Sequence, residues 1–433
     1  MTTTAPQLLP YLERLLDGET VEWKTLGEVC EYIRGITYNK AAETNDSDGW
    51  KVLRANNISL TTRTLNFNEV KRVKKTTKVS DKQKLYKGDI LICAASGSKE
   101  HIGKTAYIES NTPYTFGGFM GVLRVKENTS ISSRYLFHYL GSSIFTNYLS
   151  AALKSSTINN LNSGIISPFP IPLPPLRVQA RIVEILDKFT QLETELEAEL
   201  EARNKQYDFY RNRLLDFAHR DDFDGKVEWT TLGKVCLQLR TGLNPRNNFK
   251  LNTDDASNYY VTVRELGGTE LIYSEKTDLI NDHALQLINN RSKLKVNDIL
   301  FSGTGTIGKT AFIAEEPSNW NIKEGVYALT LDTRYVLPMF VLRYLQSQRA
   351  IDWIERMAAG STVRSITMRN LEQLPFPLPP LSEQRRIVEI LDRFDTLTNS
   401  ISEGLPREIA LRRKQYEYYR DALLRFPPPA PTA

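Results

Sequence analysis

The sequence is poor in residues that hold disulfides or metals. Its 433 residues contain three cysteines and four histidines, and neither type has the spacing of a disulfide framework or a zinc site. No apolar run approaches the length needed to cross a bilayer. The opening stretch MTTTAPQLLPYLERLLDG lacks the basic start and continuous apolar core of a signal peptide. We therefore expect a cytoplasmic protein without a bound metal.

The net charge is small, +5, but it is unevenly distributed. Residues 21–170 contain 20 Lys and Arg against 12 Asp and Glu, whereas residues 226–375 contain 18 against 16. A basic segment beside acidic helices indicates that the basic segment binds a polyanion.

The chain is an internal tandem repeat. VEWKTLGEVC returns as VEWTTLGKVC, IGKTAYI as IGKTAFI, PLPPLRVQARIVEILDKF as PLPPLSEQRRIVEILDRF, and RNKQYDFYRNRLLDF as RRKQYEYYRDALLRF. The N-terminal YLERLLDG also matches YRNRLLDF, so the chain begins with the tail of a repeat. Such a chain can form a circular arrangement with a pseudo-twofold axis.

The stretch GTGTIGKT matches the phosphate-binding pattern G-x-x-x-x-G-K-[ST], which raises the alternative of a P-loop ATPase. That motif needs a strand before it and a helix after it. Here the following TAFIAEEP alternates like a strand, and the sister stretch GSKEHIGKT breaks the glycine spacing. The pattern therefore favours a β-turn in both repeats.

A long amphipathic helix is predicted after each PLPP, because prolines suit the entry into a helix. From Leu176, apolar residues recur at steps of three and four over about 40 residues. The second copy contains Gly404 and Pro406, so a break is expected near SEGLPRE. The two apolar stripes are expected to pack antiparallel against each other. The alternative is that they are core helices of one compact domain.

The predicted fold class is α+β, with two tandem mixed α/β domains separated by two long antiparallel coiled-coil helices. The predicted boundaries are an N-terminal tail at 1–20, a first domain at 21–171, a central helix and linker at 172–225, a second domain at 226–376 and a C-terminal helix and tail at 377–433. The frame repeats closely while the domain interiors diverge. Variable loops on a retained scaffold are typical of one architecture that recognises two targets.

This pattern resembles the DNA-specificity subunit of type I restriction-modification enzymes. The resemblance rests on two divergent domains, each ending in PLPPL-x-x-Q-x-R-I-V-E-I-L-D-[KR]-F and a helix ending [RN]-K-Q-Y-[DE]-[FY]-Y-R. TELE and AELE (Thr194–Glu201) are similar to the tetrads of the group with short repeats in the central helix. The resemblance implies two target-recognition domains that each read half of a bipartite DNA site.

The same resemblance implies partners and cofactors. Two methyltransferase (modification) subunits would dock on the helices, motor-nuclease (restriction) subunits would join them, and double-stranded DNA would be the ligand. S-adenosylmethionine, ATP and magnesium would enter only through those partners. The sequence has no Asn-Pro-Pro-aromatic motif and no helicase signature, so we expect a non-catalytic subunit without its own cofactor.

Candidate DNA contacts are basic and amide side chains in polar loops, because such side chains bond phosphates and base edges. In the first domain they are Arg34, Tyr38, Lys40, Lys71, Arg72, Lys74, Lys75, Lys99, His101, Lys104, Lys154 and Ser155. In the second domain they are Arg240, Asn244, Arg246, Asn247, Thr304, Thr306, Lys309, Ser361, Thr362 and Arg364. For each of them, a turn residue that bonds its own backbone is the alternative.

Two further alternatives for the whole chain are a fused restriction-methyltransferase and a coiled-coil tether without affinity for nucleic acid. The repeat occupies the whole chain and leaves no room for a catalytic domain, which argues against the first. The basic first domain argues against the second.

Overall fold

The computed structural model describes residues 8–59, 62–96, 101–154, 160–220, 225, 227–358, 364–400 and 403–427. The chain divides into two compact units. Unit 1 consists of Met1–Ala198 with Glu408–Ala433, and unit 2 consists of Glu199–Arg407. Each unit therefore consists of one globular domain, part of the helical region that follows the first domain, and part of the helical region that follows the second.

The globular part of unit 1 alternates short strands and short helices. Its helices are α1 (Pro10–Leu16), α2 (Leu26–Val29), α3 (Ser133–Tyr139), α4 (Ser143–Lys154), α5 (Ser163–Ile166) and α6 (Leu176–Leu215), the last of which continues into unit 2. Its strands are β1 (Glu22–Thr25), β2 (Cys30–Arg34), β3 (Trp50–Leu53), β4 (Lys71–Val73), β5 (Ile90–Cys93), β6 (Thr105–Tyr107), β7 (Tyr114–Phe116), β8 (Met120–Val125) and β9 (Pro170–Leu173). Short 3₁₀ helices lie at Lys40–Ala42, Ala55–Asn57 and Asp81–Gln83.

The rest of the chain repeats this order, with helix α8 added and with two helices, α12 and α13, where the first repeat has α6. The helices are α7 (Leu232–Val235), α8 (Asp282–Arg291), α9 (Pro338–Leu345), α10 (Gln348–Met357), α11 (Met368–Glu372), α12 (Leu381–Asn399) and α13 (Gly404–Leu423). The strands are β10 (Glu228–Thr231), β11 (Cys236–Thr241), β12 (Asn258–Val261), β13 (Asp278–Ile280), β14 (Ile299–Ser302), β15 (Thr310–Phe312), β16 (Trp320–Ile322), β17 (Val326–Leu331) and β18 (Pro375–Leu378).

The two units have the same sheet topology. Unit 1 has a four-stranded sheet β2-β8-β5-β6, a three-stranded sheet β4-β3-β7 and the pair β1-β9, and unit 2 has β11-β17-β14-β15, β13-β12-β16 and β10-β18. The middle strands β5 and β14 are buried along their whole length, as expected for continuous apolar runs such as ILIC and ILFS. The tandem duplication and the mixed α/β fold predicted from the sequence are confirmed.

A buried glutamine attaches the start of each long helix to its own domain. Gln179 is fully buried; its amide group donates to the carbonyl oxygen of Pro174 at 2.8 Å and accepts from the amide of Ser132 at 2.9 Å. Gln384 makes the equivalent bonds to Pro379 and Leu337, both at 2.9 Å. Because buried polar groups need such partners, these bonds explain why a glutamine follows PLPP in both repeats.

Within each unit, segments of the long helices pack antiparallel. In unit 1, Phe189 stacks on Tyr419 with ring centroids 5.7 Å apart, and Arg413 pairs with Glu197 at 2.6 Å. In unit 2, Tyr210 stacks on Phe394 at 5.5 Å. The sequence prediction of a 40-residue first helix is confirmed, since α6 has 40 residues.

The predicted break in the second helix is also confirmed. Gly404 has a φ of +74°, a left-handed conformation that strongly favours glycine. A Cβ atom at this position would lie 2.4 Å from the carbonyl oxygen of Thr396, so the packing also requires glycine. The chain therefore forms α12 and α13 where the first repeat has one helix.

A polar contact joins each globular domain to its helices at equivalent positions. In unit 1, His138 bonds Asp187 at 2.7 Å, and burial lowers the pKa of His138 to about 4, so the imidazole is neutral near pH 7. In unit 2, Arg343 takes this position and pairs with Asp392 at 2.8 Å and Asp395 at 3.0 Å. Both repeats thus have this contact at the same location, but the side chain from the globular domain is a neutral histidine in unit 1 and a charged arginine in unit 2.

Candidate nucleic-acid interface

Three of the predicted contacts of unit 1 line one cavity of about 1000 Å³ at the loop end of the four-stranded sheet. Arg34 is exposed, and its Nε donates to the carbonyl oxygen of Gly118 at 3.2 Å. Lys40 is exposed at the start of a 3₁₀ helix, and burial raises the pKa of the half-buried Tyr38. The cavity gathers cationic and aromatic side chains that are distant in sequence, which suits a polyanion with planar bases.

Two residues of this cavity, Arg54 and Phe119, were not predicted from the sequence. Arg54 follows strand β3, and Phe119 follows two glycines between β7 and β8. The Gly-Gly pair is a turn signal that marks the following side chain as a loop-tip residue. In YTFGGFMGVL the apolar neighbours hide that signal, because the stretch is typical of a single buried strand.

Two of the predicted basic contacts of unit 1, Lys71 and Arg72, are engaged by other groups of the chain. Lys71 pairs with Glu43 at 2.7 Å, and Arg72 donates to the carbonyl oxygen of Ser47 at 2.6 Å. Lys75 lies over the ring of Trp50 at 3.7 Å. Lys74 and Lys75 are exposed, so these two are better placed for phosphate contact than Lys71 and Arg72.

The GTGTIGKT stretch forms the turn of a β-hairpin between β14 and β15. The hydroxyl of Ser302 donates to the carbonyl oxygen of Thr306 at 2.6 Å and accepts from the amide of Lys309 at 2.8 Å. Thr310 is buried, and its hydroxyl donates to the carbonyl oxygen of Gly268 at 2.7 Å. A strand follows this turn, whereas a P-loop needs a helix there. The hydroxyl of Thr310, which would hold magnesium in a P-loop, is already hydrogen-bonded. The geometry therefore contradicts the ATPase alternative.

The other predicted contacts of the two hairpin turns differ in exposure. Thr304, Thr306 and Lys309 are exposed in unit 2, whereas His101 and Lys104 of unit 1 are half-buried. The Nζ of Lys104 donates to the carbonyl oxygen of Ala55 at 3.3 Å, and burial lowers the pKa of Lys104. The predicted contact Lys99 lies outside the described residues.

The remaining candidates lie in loops of unit 2 and at the ends of polar loops. Asn244 is half-buried and its carbonyl oxygen accepts from the side chain of Asn248 at 2.8 Å, while Arg246 and Asn247 are exposed. Arg364 is exposed and donates to the carbonyl oxygen of Glu355 at 2.9 Å. Lys154 ends α4, and its side chain is outside the described part of the chain, as are Ser155, Ser361 and Thr362.

Strand β11 has one residue more than its counterpart β2, because a β-bulge lies at Leu237. The register of β11 on β17 shifts at this residue, whereas β2 pairs with β8 without a shift. A shift of one residue turns every following side chain to the opposite face of the sheet. Arg240 therefore corresponds to the buried Ile33 and not to the exposed Arg34, although the sequence repeat aligns the two arginines.

Arg240 is buried in unit 2. It pairs with the fully buried Asp298 and donates to Thr330 Oγ1 at 2.9 Å. In unit 1 the corresponding carboxylate, Asp89, is paired instead with Arg124 of β8 at 2.7 Å. The two repeats thus neutralise the same buried carboxylate from different strands. This geometry argues against a base contact by Arg240 and gives it a structural role.

Replacing Arg240 with alanine is expected to lower the free energy of unfolding by about 3–5 kcal/mol, because it leaves Asp298 buried without a partner. Calorimetry of the full chain is expected to show one unfolding transition lowered by roughly 6–20 °C. Adding Thr330→Arg is expected to recover part of the loss, since it restores the arrangement of Arg124. Arg34→Ala is the exposed control, expected to change stability by less than about 1 kcal/mol. An unchanged transition in Arg240→Ala would show that the pair contributes nothing.

The comparisons with known proteins agree with this duplicated fold. A family model described as the type I restriction modification DNA specificity domain matches the chain twice, at residues 18–203 and 227–411. The chain belongs to this family. It is the DNA specificity subunit of a type I restriction-modification system, a non-catalytic component of that enzyme.

Relatives of the specificity subunit match over nearly their whole length. The specificity subunit of the type I restriction enzyme EcoR124I/EcoR124II from Escherichia coli is 32% identical over 430 residues, which cover 97% of this chain and 98% of the relative. A putative type I restriction enzyme specificity subunit from Haemophilus influenzae is 31% identical over 430 residues, 96% of this chain and 98% of that one. The resemblance inferred from the repeated PLPPL–helix segments is confirmed.

Solved structures share the fold. A chain from work on complex assembly and conformational transition of the type I R-M system matches with a TM-score of 0.63, covering 97% of this chain and 99% of that chain at 18% identity. The type I restriction-modification S subunit from M. genitalium matches with a TM-score of 0.52, covering 98% and 100% at 14% identity. At these identities the likeness shows the fold alone.

The described residues of the specificity subunit contain no cluster of His, Cys, Asp and Glu that could hold a metal ion. Among the same residues, no helix is long and apolar enough to span a bilayer. Cys30, Cys93 and Cys236 are free thiols, and burial raises the pKa of Cys30 and of Cys236 to about 12. Both thiols therefore have little thiolate character.

Proposed function

We propose that the domains at 21–171 and 226–376 each read one half of a bipartite DNA site. We further propose that the helices set the spacer between the half-sites, with TELE and AELE as length units, and dock two modification subunits. The single observation that carries the proposal is a difference between surfaces: the exposed surface of the helices is repeated, whereas the loops of the domains are not.

The repeated surface is an aromatic pair on the helices. In unit 2, Phe209 and Tyr210 meet edge-on with ring centroids 5.5 Å apart and planes at 77°. In unit 1, Tyr418 and Tyr419 do the same at 5.3 Å and 76°. Phe209 is 56% and Tyr418 66% exposed. Exposed aromatic pairs are typical anchors of protein interfaces, and two equal copies suit two copies of one partner.

The unrepeated surface lies in the domains. The exposed Leu237 at the bulge and helix α8 belong to unit 2, whereas the cavity lined by Arg34 and Phe119 belongs to unit 1. A partner present in two identical copies would need the same surface twice. Different surfaces on one scaffold instead suit two half-sites of different sequence.

The proposal assigns the chemistry to the partners. The modification subunits would supply S-adenosylmethionine and methyl transfer to adenine, and restriction subunits would supply ATP- and magnesium-dependent translocation and cleavage. The complex would act in the bacterial cytoplasm, which agrees with the free cysteines and with the bacterial relatives. This chain would contribute recognition and assembly only.

Charge introduced into one aromatic pair is expected to remove one modification subunit. Native mass spectrometry of the wild-type complex is expected to show two modification subunits per chain. Tyr418→Asp should reduce this number to one, because an interface anchor becomes a carboxylate without a partner. Phe209→Asp should do the same, and the double variant should bind neither subunit.

Leu411→Asp is the matched control, since Leu411 lies on the same helix α13 and is 48% exposed. It is expected to retain two modification subunits. Retention of both subunits by the Phe209→Asp, Tyr418→Asp double variant would refute the docking assignment.

A further inference from the structure

Phe119 has the highest exposure among the large hydrophobic side chains of the described residues, at 72%. It lies in the turn between β7 and β8 at the rim of the cavity that Arg34 and Arg54 line. An aromatic ring in water adds little to the stability of the fold, so its presence needs another explanation.

Hydrogen bonds fix the backbone that carries this ring. The carbonyl oxygen of Phe119 accepts from the amides of Ala94 at 2.9 Å and Ala95 at 3.0 Å. The amide of Met120 donates to the carbonyl oxygen of Gly117 at 2.8 Å, which closes the turn. The side chain is therefore presented from a rigid element, which reduces the entropy lost when it binds a ligand.

Cationic side chains line the same cavity as the ring. Arg34 is fixed beside the turn by its bond to the carbonyl oxygen of Gly118 at 3.2 Å, and Lys40 and Arg54 line the same cavity. The Nε of Arg54 is buried and has no hydrogen-bond partner. Of the two acids in the lining, Glu43 is paired with Lys71 at 2.7 Å, which leaves a cationic rim. Cations beside an exposed ring are typical of surfaces that bind phosphates and stack on bases.

The equivalent position in unit 2 indicates which kind of partner the ring contacts. The register of the two sheets makes Gly325 of unit 2 the equivalent of Phe119. Gly325 has a φ of +91°, and the amide of Val326 closes its turn by donating to the carbonyl oxygen of Lys323 at 3.1 Å. A positive φ strongly disfavours a phenylalanine there. The turn of unit 2 therefore carries no aromatic ring at this position. A surface for identical modification subunits would occur twice, so the geometry favours DNA over protein as the partner.

We infer that Phe119 stacks on a base of the half-site read by unit 1, at a step where that base is partly separated from its neighbour. This inference rests on the proposed function and adds to it a second means of recognising the DNA sequence. The recognition by unit 1 would include the ease of opening one base step as well as the pattern of base edges. Unit 2 would lack this contribution.

The test uses the complex of this chain with its modification subunits and a duplex that carries the motif methylated in cells with the wild-type chain. Phe119→Ala is expected to weaken binding roughly 10- to 100-fold, the range for loss of one base–aromatic stack. The slope of log K against log salt should stay unchanged, because the ring neutralises no phosphate. Phe119→Trp should bind like wild type, and Arg34→Ala should reduce the slope by about 1.

An abasic scan of the duplex then locates the contact. Removing one particular base of this half-site should weaken wild type about tenfold or more and leave the binding of Phe119→Ala almost unchanged. Phe67→Ala is the matched control; Phe67 is 48% exposed, packs against Tyr114 at 5.1 Å and does not line the cavity. It is expected to behave as wild type at every position.

Four results are decisive. Coupling of Phe119 to a single base supports the inference. Wild-type affinity in Phe119→Ala overturns it and leaves the proposed function intact. Loss of a modification subunit in Phe119→Ala overturns it in favour of a protein contact. A wild-type complex that fails to bind the methylated motif overturns the proposed function itself.

Discussion

Replacing residues 21–171 with the corresponding segment of a relative is expected to change one half of the methylated motif and leave the other half unchanged. The segment begins at β1 and ends in β9, and these strands pair antiparallel, with Glu22 opposite Leu173 and Thr25 opposite Pro170. Its two ends therefore lie side by side, and an exchanged domain enters and leaves the frame at the same place. Gln179 and Pro174 follow the exchanged segment, and the bond of Gln179 into that segment is to the backbone amide of Ser132, so the attachment does not depend on a side chain of the exchanged domain. Sequencing of methylated sites in cells with the chimaera measures the result.

The reciprocal exchange of residues 226–376 is the control. Its ends lie in the equivalent pair β10 and β18, with Glu228 opposite Leu378. It is expected to change the other half of the motif only. A chimaera that changed both halves together would show that the domains do not read independently.

Insertion of one tetrad after Glu201 is expected to keep both half-sites and lengthen the unread spacer by one or two base pairs. Helix α6 is continuous through this point. Four residues add about 6 Å and slightly more than one turn, so the apolar stripe nearly recovers its direction. The rise of B-DNA is about 3.4 Å per base pair, so this increment corresponds to about one or two pairs. The methylated motif in cells with the insertion gives the spacer directly.

Insertion of two residues at the same point is the matched control. Two residues rotate the following stripe by roughly 200°, which turns apolar side chains to the solvent. Methylation is therefore expected to fall strongly with this variant and to survive with the tetrad. An unchanged spacer with retained methylation after the tetrad insertion would mean that α6 does not set the separation of the half-sites.

The frame was predictable from the sequence because its signals are local and occur twice. Prolines mark the start of each helix, and three- and four-residue spacing from Leu176 predicts the 40-residue length found for α6. The break between α12 and α13 was predictable from Gly404 and Pro406 for the same reason. The duplication also exposed GTGTIGKT as a turn, since the sister stretch lacks the glycine spacing.

The candidate site was less predictable, because it depends on register and on distant partners. Arg34 and Arg240 align in the repeat, yet the bulge at Leu237 turns one outward and the other inward. The sequence does contain a sign of the bulge. Four residues separate Cys30 from Gly35 in the first repeat, whereas five separate Cys236 from Gly242 in the second. No local pattern reveals that Glu43 neutralises Lys71, since the two residues are separated by a loop and a strand.

The composition of unit 1 has a consequence for the order of folding during synthesis. Its core contains Leu12 and Leu16 from the start of the chain together with Leu423 and Phe426 from the end. Unit 2 consists of one continuous segment, so all of its residues leave the ribosome before the last helix of unit 1 does. The domain that is made first is thus the last to close its core. Until then the nascent chain exposes the apolar surface that Leu423 covers, so a chain that stops before Leu423 has one finished half and one open half.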